Sequence, residues 1–246
     1  RLRKEFDVIC LTGGSRVPRD LKIEGRDLEG IHFAMDYLTQ SNRIVAKERI
    51  PQDKLIDAEG KKVVVIGGGD TGADCVGIAH RQGASCVIQI ELLSQPPDCR
   101  SPDSPWPKYP LILKTSTSHE EGAQRKWSIL TKKFIGENGR IKKLYCVKVE
   151  FQKDAGGCAV MREVKDSEFE IEADLVILAL GFLHPQKKGL IAGLGVKLDS
   201  QGNVKTNENF MTQVLGVFSA GDMHTGQSLI VWAISEGRRA AYFIDK

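Results

Sequence analysis

A glycine-rich turn contains the residues whose types and spacing best suit chemistry. It consists of Gly67, Gly68, Gly69, Asp70, Thr71 and Gly72. The glycines fit the pattern G-x-G-x-x-G. The first allows a tight turn, the second lets a pyrophosphate approach the backbone, and the third lets helix and strand pack closely. A helix that begins here presents free N–H groups and its positive dipole end to the phosphates. The turn therefore predicts a dinucleotide-binding site.

The neighbouring segments supply the context that this pattern needs. Residues 62–66 (KVVVI) predict a buried strand before the turn. A helix of about 11 residues follows and ends at Gly83. Residues 85–93 (SCVIQIELL) predict the next strand. Strand, turn, helix and strand form one βαβ unit, which favours a nucleotide site over a merely tight strand–helix turn.

Glu91 ends the second strand of this unit, 19 residues after Gly72. An acidic side chain at this place is expected to accept a hydrogen bond from the adenosine ribose 2′-hydroxyl, and its charge repels a 2′-phosphate. The sequence therefore favours NADH over NADPH. Two alternatives stay open. In the first, Glu91 merely ends the strand in solvent. In the second, a cationic side chain moves toward the site and accepts a 2′-phosphate; the candidates are Arg100, Lys108 and Arg125.

A second pattern lies near the C-terminus. Residues 212–222 (TQVLGVFSAGD) combine a threonine, an apolar strand and a terminal Gly-Asp, as flavoproteins do where an FAD-binding domain closes. Gly221 permits close approach of a cofactor, and Asp222 can accept hydrogen bonds from ribityl hydroxyls. A helix predicted from Gln227 directs its N-terminal dipole toward a reduced flavin. The alternative is a strand that ends in a β-turn.

Two other strand ends are typical of the junctions between the FAD and nicotinamide domains of flavoproteins. The first is LTGG (11–14), with Thr12 and Gly13, and the second is LALGF (178–182), with Gly181. Six of the nine prolines fall between Pro96 and Pro110. They mark an irregular excursion that is too long for an ordinary loop.

The remaining pattern predicts the elements around these sites. The expected strands are 6–12, 174–180, 216–220 and an antiparallel set over 141–151, 158–164 and 167–173. The expected helices are Ile31–Tyr37, 123–135 and 227–243, and residues 39–60 are expected to form a linker.

Composition excludes several classes of function. The chain has 35 Lys and Arg against 32 Asp and Glu, a net charge of +3. This excess is too small for a nucleic-acid or anionic-membrane footprint, and no apolar run approaches a membrane span. No metal-ligand spacing or Ser/His/Asp triad appears. Because the cofactors carry the chemistry of hydride transfer, no catalytic side chain is assigned.

The cysteines and His119 are expected to be structural. The chain has no C-x-x-C, and Cys10, Cys75, Cys86 and Cys146 lie in apolar runs that favour buried thiols in a reducing cytosol. His119 is expected at a solvated helix start, with Ser118 as N-cap and Glu121 at the third position.

Several longer motifs resemble the small (beta) subunit family of glutamate synthase, whose equivalent in some organisms is the C-terminal region of a single long chain. They are VVVIGGGDTGADC, QIELLSQPPDCRSPDSPWPKYP, HEEGAQ, LTKKFIG, ADLVILALGF and AGDMHTGQSLIVWAISEGRRAA. The proline-rich stretch is much more specific than the glycine turn.

The resemblance implies an activity. Such a subunit passes electrons from NADPH or NADH to FAD, and then through iron–sulfur clusters to the large subunit, where glutamine and 2-oxoglutarate become two glutamates. The large subunit or its fused equivalent is then the expected partner. The expected location is the cytoplasm, or an organelle matrix or plastid in a eukaryote.

The resemblance also implies an α/β fold, in which a Rossmann-like nicotinamide-binding domain is inserted into a discontinuous FAD-binding domain. The expected boundaries are 1–45 with 181–246 for a partial FAD domain, and 46–180 for the NAD(P)H domain with a proline-rich insertion at 94–123. Gln227, Ser228 and Leu229 match the family's flavin-facing helix start.

The chain departs from the family pattern in two respects. The cysteine-rich cluster region and the first FAD glycine fingerprint would precede Arg1, so weak FAD retention is expected and iron–sulfur clusters belong to the full-length enzyme. Two arginines common after Gly-Asp-Met are here His224 and Thr225, so no role of those arginines carries over.

Three alternatives accompany this interpretation. The first is a related NAD(P)H:acceptor subunit such as the electron-entry half of dihydropyrimidine dehydrogenase. The second is a dithiol reductase of the thioredoxin reductase type, which needs the missing C-x-x-C. The third is a non-catalytic scaffold that keeps a nucleotide fold.

Overall fold

The computed structural model describes residues 2–102, 104–106, 111–154, 156 and 158–246. The chain divides into two compact units. We call Asp20–Leu180 the inserted unit, and Arg1–Arg19 with Gly181–Lys246 the terminal unit.

The strands of the described residues have three to five residues each, apart from two longer strands of an antiparallel sheet. In chain order they are β1 (Ile9–Leu11), β2 (Ile31–Phe33), β3 (Lys62–Ile66), β4 (Cys86–Ile90), β5 (Gln124–Lys126), β6 (Ile129–Glu137), β7 (Arg140–Lys153), β8 (Ala159–Glu163), β9 (Phe169–Glu172), β10 (Leu175–Leu178) and β11 (Val217–Ser219).

Among the described residues, three helices have 12 residues or more, and the others are short helical turns. In chain order they are α1 (Leu2–Glu5), α2 (Ala34–Val45), α3 (Asp70–Arg81), α4 (Thr117–Glu120), α5 (Ala192–Leu194), α6 (Asp222–Thr225) and α7 (Ile230–Asp245), with a 3-10 turn at Gln52–Lys54 and an irregular helical turn at Lys187–Ile191. Within the described residues, none of these helices has both the length and the apolar character needed to cross a membrane.

The inserted unit is built on a parallel sheet with the strand order β2-β10-β3-β4-β5. Strand β3 supplies side chains to both faces, because successive residues of a strand point to opposite sides. Val63 and Val65 pack with Cys75 and Val76 of α3, whereas Val64 packs in the core on the other face. Each buried valine contributes about 1.5–3 kcal/mol to folding. Burial on both faces explains why this strand is an unbroken apolar run.

A four-stranded antiparallel sheet covers the second face. Its order is β6-β7-β8, with β9 also paired to β7. Ile141, Leu144 and Ile171 are buried in one core with Val64 and Val176 of the parallel sheet. The three antiparallel strands predicted over 141–173 are confirmed as β7, β8 and β9.

The predicted helix over 123–135 is wrong, because this segment forms β5 and most of β6. Ile129, Thr131 and Phe134 are buried in β6. A register shift between Thr131 and Lys133 interrupts the period of two. Such a bulge hides the alternation by which a strand is recognised in a sequence.

Residues 20–45 lie in the inserted unit, so the first division falls after Arg19 rather than after residue 45. The reason is strand pairing, because Ile31–Phe33 forms β2 beside Val176–Leu178 of β10. The helix predicted over Ile31–Tyr37 therefore begins only at Ala34, and it runs on into the predicted linker as far as Val45. The second division between the compact units follows Leu180.

The terminal unit contains a two-stranded parallel sheet, β1 with β11. Its apolar side chains form two small cores, one around Leu11, Val204 and Val217 and one around Phe210 and Ala240. Helix α7 begins at Ile230, three residues later than predicted.

Gly67 carries a steric constraint that can be tested. Its φ is +127°, and a Cβ there would lie 2.2 Å from the carbonyl oxygen of Ala179. Gly67→Ala is therefore expected to lower the free energy of unfolding by about 2–3 kcal/mol, measured by denaturant titration. Gly69→Ala is the matched control, because Gly69 has extended backbone and open space at its Cβ position. Equal stability of the two variants would contradict the constraint.

Candidate dinucleotide site

The glycine turn joins β3 to α3 at the carboxyl edge of the parallel sheet. Gly69 is the N-cap of the helix, and Asp70 is its first residue. The Gly67 N–H donates to the carbonyl of Ile90 at 2.9 Å, which ties the turn to β4. A Cβ at Gly72 would lie 2.2 Å from the carbonyl oxygen of Gly67, so only glycine permits this approach of helix and turn.

Gly69 differs from the other two fingerprint glycines because no atom of the residues that the structure describes, its chain neighbours aside, lies within 4 Å of its Cβ position. The first turn of an α-helix leaves backbone N–H groups without helical partners, and here these groups belong to a 12-residue helix. Open backbone beside a helix N-terminus fits a pyrophosphate. The residues at 67–72 therefore suit the phosphates of a dinucleotide.

Glu91 is bound to the turn, so the alternative of a strand end in solvent does not describe it. The Gly68 N–H donates to Glu91 Oε2 at 2.6 Å, and the Leu93 N–H donates to Oε1 at 3.1 Å. A carboxylate offers about four acceptor positions. Glu91 therefore keeps capacity for a further donor such as a hydroxyl.

A cleft of about 640 Å³ opens in front of the turn. Gly68, Gly69, Asp70 and Glu91 form one side of it. The proline-rich excursion forms much of the rest, where the Leu113 N–H donates to the carbonyl of Pro97 at 2.8 Å and joins its two limbs. The other lining residues are Ala73, Leu93, Ser94, Gln95, Pro96, Pro97, Leu111, Ile112, Leu113, Lys114, Ser116, His119, Arg125 and Trp127. A volume of this size is typical of cofactor sites.

The structure distinguishes among the three candidate cations. Arg125 lines the cleft, and its guanidinium lies 5.1 Å from the centre of the Trp127 ring. Burial lowers the pKa of Arg125 from its ordinary value. Arg100 donates to the carbonyl of Ser104 at 2.8 Å and is not among the residues that line the cleft. Lys108 lies outside the described residues.

His119 is not at a solvated helix start, which corrects the expectation for this residue. The N-cap of α4 is Ser116 rather than Ser118, and His119 closes a capping box with it. The Ser116 N–H donates to His119 Nδ1 at 3.2 Å, and His119 Nε2 lies 2.8 Å from Gln89 Oε1. Burial and the nearby Arg125 charge lower the pKa of His119.

Sequence reasoning missed Gln89, although a signal was available. Gln89 is the one amide in the apolar strand CVIQI, and it is only 2% exposed. Its Nε2 donates to the carbonyl of Gly67 at 2.8 Å. A polar side chain inside a buried strand requires a partner, and the glycine turn is that partner.

The residues predicted for a flavin site lie together in the terminal unit. A cavity of about 240 Å³ is lined by several of them. This volume is below the roughly 300–1,000 Å³ of typical ligand sites. Thr12, Gly221, Asp222 and Ser228 line it, as do Gly14, Ala220, Ile230, Ala233 and Gly237.

The other predicted residues are not among those that line this cavity. Gln227 Oε1 accepts the Phe182 N–H at 2.8 Å and lies 2.9 Å from the Cβ position of Gly181. Gly13 packs against Met223. Leu229 is the N-cap residue of α7 and is 38% exposed.

Glu236 is a second residue that sequence reasoning missed. It lies on α7, and its Oε2 accepts the Gly221 N–H at 2.8 Å. The same carboxylate oxygen lies 3.1 Å from His224 Nδ1, and His224 Nε2 lies 3.0 Å from Thr206 Oγ1. Glu236 thereby ties the Gly221 turn, whose φ is +69°, to the last helix.

Comparison with known proteins gives a family for this geometry. The model of the pyridine nucleotide-disulphide oxidoreductases matches residues 3–237. The chain belongs to this family. The predicted fold class is thereby confirmed.

Relatives within the family are similar over the whole chain. The NADPH glutamate synthase small chain of Mycobacterium tuberculosis is 49% identical over 249 residues, which cover 100% of this chain and 50% of that protein. The NADH glutamate synthase of Schizosaccharomyces pombe is 44% identical over 99% of this chain and 12% of that protein. The resemblance to the glutamate synthase small subunit is confirmed. The chain spans about half the length of the small chains that it matches.

Solved structures agree on the fold. Mycobacterium tuberculosis FprA in complex with NADPH has a TM-score of 0.69 at 15% identity, over 99% of this chain and 63% of that chain. The thioredoxin reductase of T. acidophilum has a TM-score of 0.58 at 21% identity, over 96% of this chain and 64% of that chain. At these identities the likeness concerns the fold alone.

The cysteines form no disulphide in this structure, although the family name refers to disulphides. All six are free thiols. Cys75 and Cys146 are buried as expected, and burial raises the pKa of Cys75 to about 12 and that of Cys146 to about 11. Cys10, by contrast, is exposed, because its strand belongs to a sheet of only two strands. Among the described residues, no group of three His, Cys, Asp or Glu side chains is arranged to hold a metal ion.

Glu236→Gln tests the tie between α7 and the Gly221 turn. The substitution removes the charge that strengthens two hydrogen bonds of a side chain that is 14% exposed. The free energy of unfolding, measured by thermal unfolding, is expected to fall by about 1–2 kcal/mol. Glu208→Gln on the surface is the control, expected to stay within about 0.5 kcal/mol of the parent. Unchanged stability of both variants would refute a structural role for Glu236.

Proposed function

We propose that this chain binds a nicotinamide dinucleotide at residues 67–72 and delivers its electrons to FAD, as the electron-entry part of a glutamate synthase. The observation that carries the proposal is the open backbone at Gly69, which faces a cleft of about 640 Å³ beside the fixed carboxylate of Glu91. The names of the relatives supply the reaction context.

The chemistry of hydride transfer belongs to the two cofactors when they are bound. The side chains and backbone of this chain bind and orient. Gly69 admits the pyrophosphate, the N-terminus of α3 balances its charge, and Glu91 accepts a hydrogen bond from the ribose 2′-hydroxyl. In the whole enzyme, electrons would pass through iron–sulfur clusters to the large subunit or its fused equivalent, which makes glutamate from glutamine and 2-oxoglutarate.

For FAD, we extend the proposal to the terminal unit. Thr12, Gly221, Asp222 and Ser228 line its cavity. Gly13, Gln227 and Leu229 are chain neighbours of lining residues, and Gly181 lies against Gln227. The N-terminus of the 16-residue helix α7 would stabilise negative charge on the reduced flavin.

The choice between NADH and NADPH depends on two opposed charges at the cleft. Glu91 favours a free ribose hydroxyl and therefore NADH, whereas Arg125 offers a guanidinium to a 2′-phosphate. Glu91 is held by two backbone N–H groups, whereas Arg125 has a long contact of 3.4 Å to Thr115 and lies over the Trp127 ring. The firmer fixation of Glu91 supports NADH as the preferred donor.

The experiment that tests the proposal is a titration of the chain with NADH and with NADPH in separate series, followed by nicotinamide fluorescence. Saturable binding of at least one dinucleotide supports the proposed function. Binding of neither would favour the non-catalytic scaffold and contradict the proposal.

Substitution at Glu91 tests the donor preference. Glu91→Ala is expected to weaken NADH binding by about 1–3 kcal/mol, because a polar partner of the ribose is lost. NADPH affinity should fall less, since a repulsive charge also disappears. Arg125→Ala is the mirror variant and should weaken NADPH more than NADH. A parent chain that prefers NADPH, or a Glu91→Ala variant with unchanged NADH affinity, would refute the NADH preference.

FAD retention tests how much of the flavin site these residues supply. A cavity of about 240 Å³ is small for a dinucleotide, so the purified chain is expected to hold little or no FAD. The measurement is the flavin absorbance per chain after gel filtration with added FAD. Stoichiometric flavin would overturn this expectation.

A further inference from the structure

The peptide between Gly67 and Gly68 is held from both of its sides by one strand. Gln89 Nε2 donates to the Gly67 carbonyl at 2.8 Å, and the Gly68 N–H donates to Glu91 Oε2 at 2.6 Å. Carbonyl and N–H belong to one rigid planar unit. Residues 89 and 91 are two apart on the chain, so their side chains leave it on the same face. Together they fix the orientation of this peptide, although the φ of Gly67 lies where only glycine is unstrained.

The donor and the acceptor of each further hydrogen bond follow from the orientation of the Gln89 amide. Because the amide nitrogen of Gln89 donates to Gly67, its Oε1 must accept. The partner of Oε1 is His119 Nε2 at 2.8 Å, so Nε2 carries the proton. His119 Nδ1 then accepts the Ser116 N–H at 3.2 Å. One neutral tautomer of His119 therefore satisfies every donor and acceptor in this series of hydrogen bonds, which runs from Ser116 to Gly67.

Both ends of this series of hydrogen bonds border the cleft. Ser116 and His119 line it on the side of the excursion, and Gly68 and Gly69 line it on the side of the turn. We propose that Gln89 and His119 are positioning residues, which join the returning limb of the excursion to the glycine turn and hold the turn in the shape that receives the dinucleotide. The inference deepens the proposed function and rests on it.

A proton on His119 Nδ1 would remove the bond from the Ser116 N–H, because an N–H group cannot accept it, and the new Nδ1–H would face the Ser116 Oγ at 3.0 Å. Burial of the ring and the positive charge of Arg125 on β5 lower its pKa, which keeps the ring neutral near neutral pH. The other charged groups that face the cleft are Asp70 of α3, Glu91 after β4 and Lys114 of the excursion. Glu120 adjoins His119 on α4.

The pH dependence of binding follows with a definite sign. The folded-state pKa of His119 lies below its ordinary value of about 6.5, so Nδ1 accepts the Ser116 N–H above that value. That bond is lost as the pH falls through the lowered pKa, whereas the Nε2–H bond to Gln89 remains. The dissociation constant of NADH should therefore be flat above about pH 7 and rise by no more than about threefold below the pKa of His119.

Two substitutions of His119 separate its two contacts. In His119→Gln, the amide nitrogen of the new side chain replaces Nε2 as the donor to Gln89, and this side chain does not titrate. This variant should bind NADH within about threefold of the parent at pH 7.5 and show no rise in acid. In His119→Asn, the amide oxygen of the shorter side chain replaces only Nδ1. The bond from the Ser116 N–H therefore remains, and the bond to Gln89 is lost. Its NADH dissociation constant should rise about tenfold. The full 246-residue chain is used throughout.

Gln89→Glu gives a readout that a merely structural role would not move. A carboxylate there still accepts from His119 but cannot donate to the Gly67 carbonyl. NADH affinity should fall, and the midpoint of the pH dependence should move upward, because a nearby negative charge raises the pKa of a histidine.

The outcomes distinguish this inference from the proposed function. A parent chain that binds neither NADH nor NADPH contradicts the proposed function and this inference with it. A parent that binds NADH, while His119→Asn binds equally well or His119→Gln keeps the acid-dependent loss, overturns the inference alone. An unmoved midpoint in Gln89→Glu overturns it even if His119→Asn fails to fold.

Discussion

The rest of the inserted unit depends on the close approach of backbones at Gly67. A Cβ at this position would meet the carbonyl of Ala179, and a Cβ at Gly72 would meet the carbonyl of Gly67, each at 2.2 Å. Strands β3 and β10 and helix α3 therefore converge on one peptide with no room for a side chain. This contact places the helix N-terminus at the carboxyl edge of the sheet, where ligands of open α/β folds bind. The hydrogen bonds from Gln89 and to Glu91 then fix the direction in which that peptide faces.

Each unit has a candidate cofactor site, but the two sites differ in how many supporting features surround them. In the inserted unit, a 12-residue helix, a fixed acid and a walled cleft surround the open backbone of Gly69. In the terminal unit, Gly221 and the start of α7 adjoin a cavity of about 240 Å³, and the sheet has two strands. The candidate dinucleotide site is thus the better developed of the two candidate sites. Membership of the pyridine nucleotide-disulphide oxidoreductases gives both sites a common context.

The sequence was sufficient for features that are local. The apolar run of β3, the glycine turn and the helix after it follow from neighbouring residues, and the structure has them at 62–66, 67–69 and 70–81. Features that depend on distant residues were missed. The bulge in β6 is fixed by pairing with β7, and β2 exists because β10 lies beside it. His119 seemed solvated because its partner Gln89 is 30 residues away in the chain. The identity of Gln89 as a lone amide in an apolar strand was the one local sign of this contact.

The most direct test of the central claim is the backbone amide NMR spectrum of the 15N-labelled chain during titration with NADH. If the glycine turn binds the dinucleotide, the resonances of Gly68, Gly69 and Asp70 will shift most, because their N–H groups lie at the turn and at the start of α3. Those of Thr12 and Gly221 in the terminal unit will change little. Shifts confined to the terminal unit, or saturation of binding with unmoved glycine-turn resonances, would contradict the account.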